Sequence, residues 1–171
     1  MVYPIVKLGN PLLDQESEIV TDFDSAELHK LIDDMFESMY AAKGVGLAAT
    51  QIGIARKIAV IDLSVGEKPE EKIVLINPKI LHHEGKQTGE EGCLSIPGFR
   101  EQVTRAKRAT VRAQDVKGEW FEMTGEDLLA RAFQHEIDHL QGKLYIKHIS
   151  ALKRDLIKRK VRKLAKAGEW A

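Results

Sequence analysis

"TGEDLLARAFQHEIDHLQG", residues 124–142, reads as one helix with polar groups on the side that should be buried. Thr124 can cap it, Glu126 and Asp127 place acid in its first turn, and Gly142 can end it. At helical spacing Leu128, Leu129, Ala132, Phe133, Ile137 and Leu140 form a broad apolar face. His135 and His139 stand in line with Leu128 and Ala132 at one side of that face, and Glu136 lies between Ala132 and Leu140. A buried carboxylate without a partner is costly, so something must compensate it. Residues four apart share a helix face, so both imidazoles can point at one atom. This is the HExxH spacing of helix-borne metal hydrolases. Histidines satisfied by backbone carbonyls are the ordinary alternative, but chance does not favour three polar groups gathered on the inward side.

Outward from this helix the chain changes period. Upstream, Leu28, Leu31, Ile32, Met35, Phe36 and Met39 recur at helical spacing behind Asp24, with Glu27 completing a capping box and Gly44 suited to the stop. Then follow the glycine-rich "GVGLAATQIG" and a strand in "KIAVIDL". "GEKPEEK" reads as a surface loop, and β-type runs appear in "IVLINPKILH", "QVTRA", "ATVRAQD" and "EWFEMT". Downstream, "ALKRDLIKRKVRKLAK" forms a basic helix at about 150–166. Several short strands followed by one central helix predict an α+β fold. The expectation is short, mostly antiparallel strands around the HExxH helix, with an N-terminal and a C-terminal helix, in one domain spanning 1–171.

Composition narrows the class. The chain is 43% hydrophobic and 30% charged, as in globular proteins, and no apolar run has the length of a membrane span. One cysteine excludes an internal disulfide, and the N-terminus lacks the basic-then-apolar plan of a secretion signal, so a reducing cytoplasm is expected. Net charge is zero but unevenly spread, acidic over 14–37 and basic in the tail.

Two histidines do not complete a catalytic site, which needs a third protein ligand and an open position. The extended pattern HExxHxxGxxH finds Gly142 in place but Tyr145 where the last histidine is required. The only carboxylates after His139 are Asp155, in the basic tail, and Glu169, near the end. The remaining soft ligand is Cys93, in "GEEGCLSIPG", where Gly92 and the Pro97-Gly98 pair allow close approach and a sharp exit. A lone cysteine is by itself a small buried hydrophobe. Joined to His135 and His139, Cys93 makes a tetrahedral site with one position open.

Together "GVGLAATQ" (44–51), "EGCLS" (91–95) and "QHEIDH" (134–139) resemble the three motifs of bacterial peptide deformylase, in order and separation, and the resemblance runs over nearly the whole chain. It implies hydrolytic removal of formate from the N-formylmethionine end of newly made polypeptides. Glu136 would then take a proton from the attacking water and hand it to the leaving nitrogen. The resemblance makes the Gln51 side-chain amide and the Leu94 backbone N–H the oxyanion donors, each worth roughly 3–4 kcal/mol in other hydrolases. Without the resemblance, Gln51 would read as an exposed loop amide. Gly44 and Gly46 would let substrate lie against an extended segment like an added strand. Val45, Leu128 and Ala132 would wall the methionine pocket, beside the methylene face of His135. Arg131 would meet a peptide carbonyl or solvent, and Asp138 would either orient a ligand histidine or form a helix-surface salt bridge.

Cys and two His suit zinc, which binds such sites more tightly than ferrous iron. The resemblance implies Fe(II) in the cell, with zinc, nickel or cobalt as substitutes. Two other readings of the glycines and the metal motif compete. Gly44, Gly46 and Ala49 match G-x-G-x-x-A, with Asp62 at the distance of a ribose-binding acid, but a helix precedes the loop where a strand is required. A zinc endopeptidase would lack its usual third ligand, and a non-catalytic metal-containing ribosome-binding module would lack a fourth. In the tail, Arg154, Lys158, Arg162 and Lys166 form an i, i+4 stripe, with Leu152, Leu156, Ile157, Val161 and Leu164 roughly opposite. That helix is either an ordinary packed amphipathic helix or a contact to the ribosome, as in some bacterial deformylases.

Overall fold

The run "IAVI" at 58–61 alternates its side chains between two covered faces, and every one of the four residues is buried. Ile58 and Val60 face one apolar cluster, with Leu28, Ile32, Met35, Phe36 and Met39. Ala59 and Ile61 face another, with Ala132, Phe133, Ile137 and Leu140. In the computed structural model, which describes residues 1–170, this run is therefore a central strand between two helices. The helices are α1 (Ala26–Ala41) and α2 (Asp127–Leu140). The strands are β1 (Gly46–Ala48), β2 (Ile58–Ile61), β3 (Ile73–Glu84), β4 (Gln87–Gly92), β5 (Arg100–Arg105), β6 (Arg108–Gln114) and β7 (Trp120–Glu126). Five pair antiparallel in the order β1-β2-β3-β6-β7, while β4 and β5 form a separate hairpin. The fold is α+β, as expected.

The hairpin lies on the side of α2 away from the large sheet. Gln134 of α2 accepts from the Ala106 N–H at 3.0 Å and donates to the Ala106 carbonyl at 3.0 Å, closing the end of β5 onto the helix. Consequently α2 is buried on more than its apolar face: Ala130, Arg131, His135 and His139 are buried as well. A third cluster joins Val103 of the hairpin and Leu144–Ile146 to Ile157 and Val161 of α3 (Ala151–Lys166).

Several boundaries differ from the sequence reading. Ser25, not Asp24, caps α1, its hydroxyl accepting from Leu28 N at 3.1 Å; Asp24 pairs instead with His29. The left-handed residue after α1 is Lys43, not Gly44. Thr124 does not cap α2 because β7 continues through it to Glu126, its hydroxyl bonded across the sheet to Thr110 at 2.7 Å. Gly142 does end α2, with φ 77°. Strand β4 was absent from the sequence reading. On α3 only Ile157 and Val161 are buried, while Leu152 and Leu156 stay exposed. Among the described residues no helix is long and apolar enough to cross a membrane.

Candidate metal centre

Two turns of α2 bring the Nε2 atoms of His135 and His139 to 3.2 Å, and the Cys93 thiol lies 3.3 Å from His139 Nε2. All three donor atoms fall within 4.8 Å of one another. Nitrogen ligands about 2.1 Å from a tetrahedral ion stand roughly 3.4 Å apart, so the spacing fits a first-row divalent metal. The sequence-derived trio therefore converges. Tyr145, at the third-histidine position of the endopeptidase pattern, is a core residue stacked against the His135 ring at 6.4 Å.

The electrostatics also favour a cation. Burial lowers the His139 pKa well below its ordinary value, and His135 pushes the same way, leaving a neutral imidazole with a free lone pair. Burial likewise opposes charge on His135, but Glu136, Cys93 and Glu91 outweigh it and draw positive charge to that ring. Cys93 and Glu136 stand on the Nε2 side of His135 and Glu91 on its Nδ1 side. Glu136 follows His135 but is not among the converging donors; its Oε1 is buried with no hydrogen-bond partner among the described residues. Burial pushes the Glu136 carboxyl up to about 7, with His135 pulling against it and Glu91 adding to it.

Gln51 sits in a 3-10 turn after β1 and is 1% exposed, so it is not a surface amide. Its Oε1 accepts from Ala48 N at 3.0 Å, which aims Nε2 at Ser95 Oγ (3.1 Å) and the Cys93 thiol (3.5 Å). Leu94 follows Cys93 directly, and its side chain lies against Gly44, where a Cβ would meet Cδ1 at 2.7 Å. Gly46 is equally constrained, since a Cβ there would stand 2.5 Å from Glu136 Oε2. Val45 is half-buried, and its carbonyl accepts from Asp62 N. Ala132 is buried against the large sheet, while Leu128 is 50% exposed on the first turn of α2.

Glu91 organises what the sequence reading passed over. Its Oε2 bonds His135 Nδ1 at 2.6 Å, which makes Nδ1 the protonated nitrogen and turns Nε2 inward. Arg105 grips both Glu91 oxygens (3.0 and 2.7 Å), and Arg131 donates to Oε1 at 2.7 Å and to the Val103 carbonyl at 3.1 Å. Burial pushes the Glu91 carboxyl up, yet His135 and Arg105 hold it well below the usual range. Arg131 is thus buried away from solvent, with its guanidinium on Glu91 and the Val103 carbonyl. Asp138 accepts from Arg105 at 2.8 Å and contacts His148 at 2.8 Å, so it is a salt-bridge residue and bonds neither His135 nor His139 directly. The available signal was Arg131 itself, a cation on the histidine side of a buried helix that required a carboxylate opposite.

The family model for polypeptide deformylase matches residues 2–155. The chain belongs to the peptide deformylase family. Peptide deformylase of Acidobacterium capsulatum is 64% identical over 170 residues, covering 99% of both chains. The crystal structure of a peptide deformylase from Legionella pneumophila superposes with a TM-score of 0.90 at 45% identity, covering 98% of each chain. At 34% identity, peptide deformylase from Plasmodium falciparum still superposes at 0.89, covering 96% of each. The deformylase is accordingly a hydrolase of protein biosynthesis that removes the N-formyl group from nascent peptides. The dinucleotide reading of Gly44, Gly46 and Ala49 falls: Asp62 accepts from Ser64 and Gly66 within its own loop and from Tyr40 of α1.

Proposed function

We propose that Cys93, His135 and His139 hold one divalent metal ion and that Glu136 carries the protons of formamide hydrolysis. The observation that carries this reading is a buried, partner-free carboxylate beside three converging donor atoms. Bound metal supplies Lewis acidity, polarising the formyl carbonyl and easing ionisation of water near neutral pH. Glu136, with its pKa raised to about 7, is matched to accepting the attacking water's proton and returning it to the departing amine. Gln51 Nε2, already fixed through its own oxygen, and the Leu94 N–H donate to the developing oxyanion. Gly44 and Gly46, with Val45 between them, line the substrate backbone, and Val45, Leu128 and Ala132 receive the methionine side chain. The metal in the cell is Fe(II), a reading that rests on the motif resemblance, while the Cys and two His donors suit Zn(II), Ni(II) or Co(II) as substitutes. The chain works as a single domain in the cytoplasm on N-formylmethionyl nascent peptides.

Formate release from a formyl-Met tripeptide, by protein prepared anaerobically with Fe(II), tests these roles. The parent is expected to be active, and Glu136→Ala to retain metal while losing at least about two orders of magnitude in kcat. A metal-loaded Glu136→Ala protein with parental activity would remove Glu136 from the reaction.

The basic face of α3 supports contact with the ribosome. Lys158, Arg162 and Lys166 are exposed on it and form no ion pair among the described residues. Reversing these three charges is expected to abolish co-sedimentation with ribosomes at low salt. Unchanged co-sedimentation would refute the contact.

A further inference from the structure

Beneath the first turns of α3 lies a cavity of about 300 Å³ that plays no part in the deformylase site. Lys147, Arg154, Lys158 and Arg162 line it, against a single acid, Asp14. None of these five side chains forms an ion pair among the described residues. Arg154 stands apart from the exposed stripe. It is the half-buried member, and its Nε is buried with no hydrogen-bond partner among the described residues. A buried guanidinium N–H left unpaired is costly and calls for an acceptor. The remaining lining is apolar, with Leu144, Ile146 and Val161 from the core that joins α3 to the hairpin.

We propose that this cavity binds a small organic phosphate, with the phosphate on Arg154, Arg162 and Lys158 and an apolar body on Leu144, Ile146 and Val161. Four cations against one acid favour a dianion over a monocarboxylate. The guanidinium fork suits phosphate oxygens, and the volume lies at the small end of ligand pockets. A partly open cavity of this size holds one small molecule, and Arg154, set back from the exposed stripe, is the cation that a polymer lying along that stripe would not reach. The site is independent of deformylation and stands whether or not α3 meets the ribosome.

Phenyl phosphate is the probe, with inorganic phosphate and phenyl sulfate as comparisons, titrated into the metal-loaded full chain by calorimetry. Trp170 offers a second readout, because its Nε1 donates to the carbonyl of Leu8, another residue of the cavity wall, at 2.8 Å. Phenyl phosphate is expected to bind more tightly than inorganic phosphate, which lacks the apolar body, and than phenyl sulfate, which has one charge fewer. Arg154→Gln and the exposed Arg162→Gln should each weaken it about tenfold or more. Lys160→Gln, which removes the same charge from α3 outside the cavity, should leave it within about twofold. Circular dichroism of each variant verifies folding. Failure of the parent to bind phenyl phosphate at millimolar concentration would overturn the proposal. So would an equal loss in Lys160→Gln, which would mean diffuse charge.

Discussion

A Cβ added at Gly46 would press on Glu136 Oε2 at 2.5 Å and on its Cδ at 3.0 Å, so the absent side chain at 46 leaves the room that the Glu136 carboxylate occupies. Gly46→Ala should keep the fold and the metal but displace that carboxylate by a fraction of an ångström to an ångström. The expected result is a loss of about 100-fold in kcat/KM with metal content unchanged, measured by formate release and metal analysis. Normal turnover would show that Glu136 has room to move. Glu91 makes a different prediction. Glu91→Gln leaves Arg105 and Arg131 facing an uncharged amide in a buried site and gives His135 Nδ1 a weaker partner. Breaking a buried ion pair costs about 3–5 kcal/mol, and losing the partner of a ligand histidine costs about 10–100-fold in metal affinity. Urea denaturation and competitive metal titration would read the two effects separately. Glu91 was hidden because "QTGEEG" has glycines and acids where a strand signal should be; its burial comes from Arg105 across the hairpin and Arg131 on α2, contacts that no local pattern encodes.

At the scale of elements, Asp62 ties the end of β2 to α1 by accepting from Tyr40, from Ser64 N (2.9 Å) and hydroxyl (2.6 Å), and from Gly66 N (3.0 Å). Burial pushes this carboxyl up, but the bonds from Ser64, Tyr40 and Gly66 outweigh it and hold the pKa below the ordinary value. A depressed folded-state pKa stabilises fully above the unfolded-chain value of about 3.9, and that stabilisation is lost as pH falls through the folded value. Asp62→Asn should therefore cost about 2 kcal/mol at pH 7, with the gap from the parent closing below about pH 4. Urea midpoints measured across that range provide the check, and a gap that persists in acid would mean packing alone. The elements joined here were legible for a physical reason. Helix α1 and helix α2 each present an apolar stripe at period 3.6, and "KIAVIDL" is a short apolar run bounded by turns. Their ends were less legible because sheet pairing overrides local capping. Thr124 is a good cap residue, yet its bond to Thr110 across β6 and β7 keeps it in the strand. Three converging donors could be found by the helix period and by elimination. The glutamate that sets the His135 tautomer was signalled only indirectly, by the inward cation Arg131.

On the whole-molecule scale the deformylase consists of a five-stranded sheet between α1 and α2 and a hairpin that pairs with no other strand. The hairpin is held to α2 by polar links: Glu91 to His135, Arg131 to Val103, and Gln134 to Ala106. Cys93 follows β4, so a metal shared with His135 and His139 would add a cross-link between hairpin and helix at the point where apolar contact is thin. Metal that binds only the folded state stabilises it by mass action, and the stabilisation concentrates where the ligands close a loop. Removing it should leave three donor atoms crowded within 4.8 Å around a cluster of acids, with the Cys93 loop the part most free to move away. Hydrogen exchange should then speed up by about tenfold or more over residues 87–105, while β3, β6 and β7, anchored in the large sheet, keep most of their protection. Readdition of Fe(II) or Zn(II) should restore the slow exchange, and Cys93→Ser should show the fast pattern even with metal present, since it removes the cross-link at the hairpin end. Equal acceleration over all seven strands would instead mean that the metal stabilises the fold only globally and that the hairpin is held by its arginine–glutamate links alone.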